Sequence, residues 1–206
     1  FLEFWDIPSD DIRRSREGIY FDVMKELDDM KIHIIGLDTR YFRSELKRLK
    51  SNYMDNVDKD ASVLGQAQWK WLTNSLKKES DLVILLTSIQ LLATEHRFEK
   101  WSNFSLEREK FIDLIESSGK QVVVISGDRH RGGIYKYNDV YELTASSMNR
   151  PVKGIETDSL LIGETHYEEN YGIISINTET SQIQLDLKDK NGGMLESVSI
   201  PFYSSE

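Results

Sequence analysis

The 206-residue chain contains no cysteine, so neither a disulfide nor a thiolate metal ligand is open to it. That absence leaves the compartment undecided. A basic excess is missing too. Twenty-six Lys and Arg stand against 35 Asp and Glu, and the formal net charge is −9. This is the wrong sign for a protein that reads nucleic acid through a basic surface. A phosphate-ester enzyme is not excluded, because bound metals supply local positive charge. No apolar run approaches the length needed to cross a bilayer. An initiating methionine is also lacking. The chain opens on Phe1, and "FLEFWDIP" reads as the end of an amphipathic helix stopped by Pro8. The expectation is a chain whose beginning has been removed, in which a lost export signal would leave no trace. What is present, 39% hydrophobic and 30% charged residues, suits one globular domain.

Periodicity divides the chain into two textures. "GIYFDVM" (18–24) and "KIHIIGLD" (31–38) read as strands, with "KELDDM" as the turn between them. "LGQAQWKWLTNSLKK" (64–78) is helical, with Trp69, Leu72 and Leu76 on one face. "DLVILLT" (81–87) and "QVVVIS" (121–126) are apolar without alternation, the mark of strands covered on both faces. Between them "SLEREKFIDLIESSGK" (105–120) is a helix with Ser105 as N-cap, Glu107 in its first turn, and Phe111, Leu114 and Ile115 on one face. Strand–helix–strand alternation predicts an α/β sheet with crossover helices. After residue 130 come "GIYKY", "VYELTAS", "YGIISIN", "IQLDLKD" and "LESVSI", short strands with turn signals between them. They read as an antiparallel meander forming a second sheet. Residues 148–169 lack periodicity and read as a long loop.

In open α/β sheets, sites form beyond the carboxyl ends of the strands. Three strand ends here carry polar clusters: Asp38-Thr39-Arg40, Thr87-Ser88-Ile89-Gln90, and Gly127-Asp128-Arg129-His130. If the strands are neighbours, the clusters share one rim. Asp-x-His offers a carboxylate and an imidazole that face the same way, and both are good ligands for zinc, iron or manganese. Asp128 and His130 are therefore candidate metal ligands and catalytic residues. The alternative is an ordinary Asp–His hydrogen bond in a loop. Arg40 is suited to hold a phosphate oxygen with its planar fork, or to form an ion pair with Asp38.

"EGIY…IIGLDTRYFRS", "LGQAQWKWL", "SIQLLATEHRFEKWSNF", "VVVISGDRH" and "YELTASSMN", in that order, resemble the PhoD-like alkaline phosphatase/phosphodiesterase family, whose core is of the calcineurin-like metallophosphoesterase type. The resemblance runs from Phe1 to about Asn149 and returns at "ENYGIISIN" (169–177). It implies a four-layer α/β/β/α sandwich and hydrolysis of phosphate mono- or diesters by a metal-activated hydroxide. It implies two or more metal ions, iron with calcium, with zinc or manganese as alternatives. It matches Asp128 and His130 to the family's last metal-binding motif, and implies a periplasmic or extracellular setting. The earlier metal-ligand motifs of that family have no counterpart here. Residues 1–206 are accordingly expected to be the C-terminal part of a catalytic domain, inactive alone, with bare apolar edges on 81–87 and 121–126. Gln90 is expected on the rim facing a small phosphate-ester substrate, and His96 is a candidate proton donor to the leaving group. Asp38 is expected to cap the loop or orient Arg40, His33 to pack, and Asn149 and Arg150 to approach the rim. A non-catalytic relative acting as a binding module is the competing reading.

Overall fold

A computed structural model describes residues 1–202. In it the two branched apolar runs are adjacent strands in the middle of one sheet. The chain opens with turns rather than a helix, in which Trp5 N donates to Phe1 O at 3.1 Å. The hairpin β1 (Phe21–Leu27) and β2 (Met30–Gly36) follows. Most of "KELDDM" lies within these strands. The turn is only Asp28-Asp29, and Asp28 takes the left-handed conformation, φ 51°, that tight hairpins demand. A miniature hairpin, β3 (Arg48–Leu49) and β4 (Asn52–Tyr53), precedes α1 (Gly65–Ser75) and β5 (Leu82–Leu86). Then come α2 (Ser105–Ser117), β6 (Gln121–Ser126), β7 (Gly132–Tyr137), β8 (Val140–Ala145) and β9 (Leu161–His166). The chain closes with β10 (Asn170–Asn177), β11 (Gln182–Asp189) and β12 (Met194–Pro201).

The large sheet has seven strands in the order β1-β2-β5-β6-β8-β7-β9. β2, β5, β6 and β8 run parallel, and β1, β7 and β9 pair antiparallel. Three expectations are corrected here. β7 and β8 join the first sheet instead of beginning a second, because β8 finds its partner in β6. The supposed loop at 148–169 contributes the edge strand β9, paired to β7 with a register shift that hid any regular alternation. β5 and β6 do not end in bare edges, since each is hydrogen-bonded on both sides.

Cover for the two faces comes from different elements. On one face Ile35, Val83, Leu85, Val122 and Val124 pack with Leu72, Phe111 and Ile115 of the helices and with Leu76 and Trp101. On the other, Ile32, Leu82, Val123 and Leu143 meet Ile183, Leu185, Leu187 and Ile200 of the three-stranded sheet β10-β11-β12. The described residues thus make three layers, helix on sheet on sheet, and no second helical layer is among them. β11 alternates as a strand with one covered face should: Ile183, Leu185 and Leu187 point in while Gln184 and Asp186 lie nearer solvent.

Helix α1 begins without a side-chain cap of its own. Glu107 of α2 supplies one across space, accepting from Leu64 N at 3.2 Å, Ser62 Oγ at 2.9 Å, and Val63 N and Trp69 Nε1. Ser105 does not cap α2. A 3-10 turn, Trp101–Phe104, runs straight into that helix, and Ser105 N donates to Asp55 at 3.0 Å.

The shared sheet–sheet core makes a direct prediction. Leu185 is fully buried between the two sheets. Leu185→Ala should lower stability by about 2–5 kcal/mol, read as a fall in denaturant midpoint at unchanged slope. No change in midpoint would mean that the small sheet does not rest on the large one.

Candidate active site

Four parallel strands, side by side, must end on the same edge. The ends of β2, β5, β6 and β8 therefore bring together residues 37–40, 87–90, 127–130 and 146–147. Thr39 Oγ1 meets Ser88 Oγ across the first two. Asp38 is a loop cap. Its carboxylate accepts from Ile19 N, Arg40 N and Tyr41 N, each at 2.9 Å. An ion pair between Asp38 and Arg40, one of the two roles considered for Arg40, is not what forms. The guanidinium goes elsewhere: Nη1 donates to Glu99 Oε2 at 2.6 Å and Nη2 to Asp128 Oδ2 at 3.2 Å. Partial burial opposes its charge, but Glu99 and Asp128 outweigh that and hold Arg40 above its ordinary pKa. Glu99 also lies 3.2 Å from Arg43 Nε.

The turn after β6 is sharp. Asp128 and His130 both take positive φ, 63° and 55°, a conformation Asp and His adopt more readily than most. Arg129 between them turns inward and is 5% exposed, while Asp128 is open to solvent and His130 half-buried. The two candidate ligands do not pair with each other. His130 Nδ1 donates to Arg150 O at 2.7 Å. A carbonyl only accepts, so in the neutral ring the proton sits on Nδ1 and Nε2 keeps its lone pair. This arrangement orients histidine metal ligands generally. Asp128, two residues earlier on the same turn, carries a carboxylate whose partner is Arg40 at 3.2 Å. Among the described residues no group of three or more His, Cys, Asp or Glu side chains gathers. The pair fits as part of a metal centre, not as all of one.

Gln90 and His96 are corrected. Gln90 is 1% exposed, and its amide is consumed inside: Nε2 donates to Thr144 Oγ1 at 2.9 Å, and Oε1 lies 2.9 Å from His96 Nε2. It lies beneath the rim instead of on its open surface. His96 Nδ1 accepts from Phe98 N at 3.2 Å, so Nε2 is the protonated nitrogen and donates to Gln90. Burial, with Arg129, Lys100 and Arg131 nearby, pushes the His96 pKa down to about 2. Such a ring stays neutral near pH 7, and its one N–H is committed to Gln90, so it is not poised as a general acid. The network continues from Thr144 to Ser126 Oγ at 2.8 Å. Below it Glu142, 0% exposed, accepts from Leu91 N at 2.9 Å and Leu92 N at 2.6 Å, and pins the loop after β5. Burial raises the Glu142 pKa, opposed by the bonds from Ser126, Leu92 and Leu91. His33, expected to pack, is fully buried with Nε2 at 2.8 Å from Asp22. His166 lies 3.9 Å from Glu168.

Glu99, Glu142 and Glu156 do the holding here, and sequence reasoning passed over all three. The partners of their carboxylates lie 16 to 59 positions away, so no local pattern marks them. A signal existed only for the arginines: a charge next to an apolar strand needs a partner. Two surface concavities lie away from this rim. One is lined by Asp11, Arg13, Arg16 and Trp71 among others, the second by Asp28, Asp29, Glu79 and Asp81 among others.

The model of the PhoD-like phosphatase family matches residues 29–191, and the chain belongs to that family. Among solved structures it is similar to GAP50, the anchor in the inner membrane complex of Plasmodium, with a TM-score of 0.65 at 14% identity. That match covers 92% of this chain and 56% of the other, so the chain spans little more than half that structure's length, and the likeness concerns the fold alone. A conserved Streptococcus pneumoniae protein, a predicted phosphoesterase, is similar over 47% of this chain and 48% of its own at 13% identity, with a TM-score of 0.32 that carries no weight. No curated protein matches the chain. Among the described residues no helix is long and apolar enough to cross a membrane.

Two outcomes follow from the buried network. The His96 ring resonances should stay flat between about pH 8 and pH 4, since its folded pKa is depressed to about 2. Below its unfolded pKa of about 6.5 the unfolded chain takes a proton that the folded one refuses, so His96 subtracts stability as pH falls. A His96 titration near pH 6 would mean that the ring is not enclosed. Glu142→Gln sets an amide N–H against a backbone N–H and should lower stability by about 1–3 kcal/mol, measurable by denaturant unfolding.

Proposed function

We propose that this chain forms part of a phosphoric ester hydrolase acting on phosphate mono- or diesters, in keeping with its membership of the PhoD-like phosphatase family. The observation that carries the proposal is His130, with Nδ1 held by the Arg150 carbonyl so that Nε2 keeps its lone pair, two residues from Asp128 on the strand-end rim that both share with Arg40. Asp128 and His130 would hold a metal ion, with iron, zinc or manganese suited to that pair and calcium a second ion in the family pattern. Further ligands would come from outside the described residues. A metal there supplies the Lewis acidity that makes water nucleophilic near neutral pH and offsets phosphate charge.

The chain's own residues account for binding and orientation. Arg40 presents two arms. Nη1 stays with Glu99, whose side chain is only 10% exposed. Nη2, now 3.2 Å from Asp128, is the arm a phosphate oxygen would take. Glu99 thus keeps the guanidinium aimed when Asp128 is engaged elsewhere. His96 has no part in proton transfer in this scheme.

The competing reading, a non-catalytic binding module, draws on the same contact: the Arg40–Asp128 pair occupies the carboxylate that a metal needs. Hydrolysis of a chromogenic phosphate monoester and diester by the full-length parent protein, measured with iron and calcium, zinc or manganese and then with chelator, separates the two. Chelator-sensitive turnover is expected. Loss of an outer partner of a metal typically lowers activity 10- to 100-fold, so His130→Ala, which removes a ligand outright, should lower it by roughly 100-fold or more. Arg40→Lys keeps the charge but cannot span two partners. Activity should fall by about 10²-fold while the melting temperature stays near the parent's. Chelator-insensitive hydrolysis, or normal turnover in both variants, would refute the proposal.

A further inference from the structure

The segment joining β8 to β9 doubles back over the turn that carries His130, and the two are stitched together at every second residue. His130 Nδ1 donates to Arg150 O at 2.7 Å, and Val152 N returns a bond to His130 O at 3.1 Å. Arg131 reaches the same segment further on, with Nη2 on Val152 O at 3.1 Å and Nη1 on Gly154 O at 3.0 Å. At the far end sits Glu156. Its carboxylate receives Arg129 through Nη2 and lies 3.3 Å from Arg131 Nε. Thr165 of β9 braces it, donating from Oγ1 to Glu156 O and accepting from Glu156 N, both at 3.3 Å.

The electrostatics make one residue decisive. Arg129 and Arg131 are 5% and 4% exposed. Two guanidiniums withdrawn from water need a counter-charge, and Glu156 is the carboxylate they share. Arg129 gains in addition from the Phe98 ring, whose centroid lies 4.5 Å away. These arginines flank His130 in the chain, so the charge that fastens them also fixes the backbone on either side of the histidine.

We propose that Glu156 is a positioning residue for His130: by clasping Arg129 and Arg131 it fastens residues 150–156 over the turn, and the Arg150 carbonyl then fixes the imidazole with its proton on Nδ1 and Nε2 presented outward. The purpose assigned to that presentation rests on the hydrolase reading above; the clasp itself rests on contacts. Glu156 touches neither substrate nor metal in this account. Its effect passes through the loop.

The test reads the tautomer and needs no substrate and no metal. With ¹⁵N-histidine protein, the four imidazoles are observed at a pH where the rings are neutral, and His130 is assigned by its loss in His130→Gln. The parent should show His130 protonated at Nδ1 and bare at Nε2. In Glu156→Gln that preference should collapse toward the mixture of a free imidazole, while backbone resonances of β5 and β6 stay in place. Arg131→Lys keeps the charge but cannot reach both carbonyls, and should give the same loss if the first variant does not fold. A parent His130 protonated at Nε2 overturns the proposal, as does an unaltered Nδ1–H tautomer in folded Glu156→Gln or Arg131→Lys. A protein with the expected tautomers and no hydrolysis would leave the clasp standing and remove only the hydrolase reading.

Discussion

Cover on both faces is the constraint from which the molecule follows. β5 and β6 lie between helices on one side and the β10–β12 sheet on the other, with Leu82, Val83, Leu85, Val122, Val123 and Val124 all but sealed from water. A strand so enclosed has no room for an unpaired polar group along its length. Polar residues collect where it emerges. Because β2, β5, β6 and β8 are parallel, they emerge together, and the hydroxyls, carboxylates and guanidiniums of four strand ends become neighbours. The site is a by-product of the sheet's direction before it is anything else.

Charge at this rim is handled by sharing. Arg40 divides its arms between Glu99 and Asp128, and Glu156 serves both Arg129 and Arg131. One guanidinium faces two carboxylates in the first cluster, and two guanidiniums face one carboxylate in the second. That makes the rim responsive: an anion arriving at Arg40, or a cation at Asp128, exchanges one partner for another instead of stripping a charge bare. His96 is held neutral by its burial first and by the nearby cations after that. The buried chain from His96 through Gln90 and Thr144 to Ser126, with Glu142 beneath, is the platform on which the loops rest.

Much of the fold was legible because its signals are local. The two helices lie within their predicted spans, and 82–86 and 121–126 are interior strands. β9 was missed because its pairing is irregular and its burial does not alternate. The placement of β7 and β8 was missed because period-2 patterning names a strand and not its neighbour. At the site, Asp128, His130 and Arg40 could be picked out because they follow strand ends. Their partners could not. Whether Arg40 bonds Asp38, two positions away, or Asp128, 88 away, is decided by strand order, and strand order is a property of the whole chain. Gln90 failed for a related reason: a polar residue at a strand end faces out or in according to what packs above it, and here Thr144 and His96 enclose it.

The central claim is that the rim, with Asp128 and His130 at its centre, is where a metal ion engages this chain. Titrating the ¹⁵N-labelled protein with Mn²⁺ and mapping paramagnetic broadening tests this most directly, because the effect is local to the bound ion. The account predicts broadening centred on residues 127–130 and spreading to the adjoining strand ends at 39–40 and 88, abolished in a protein with both Asp128→Asn and His130→Ala. Broadening centred instead on the acidic concavity of Asp28, Asp29, Glu79 and Asp81, with residues 127–130 untouched, would contradict it.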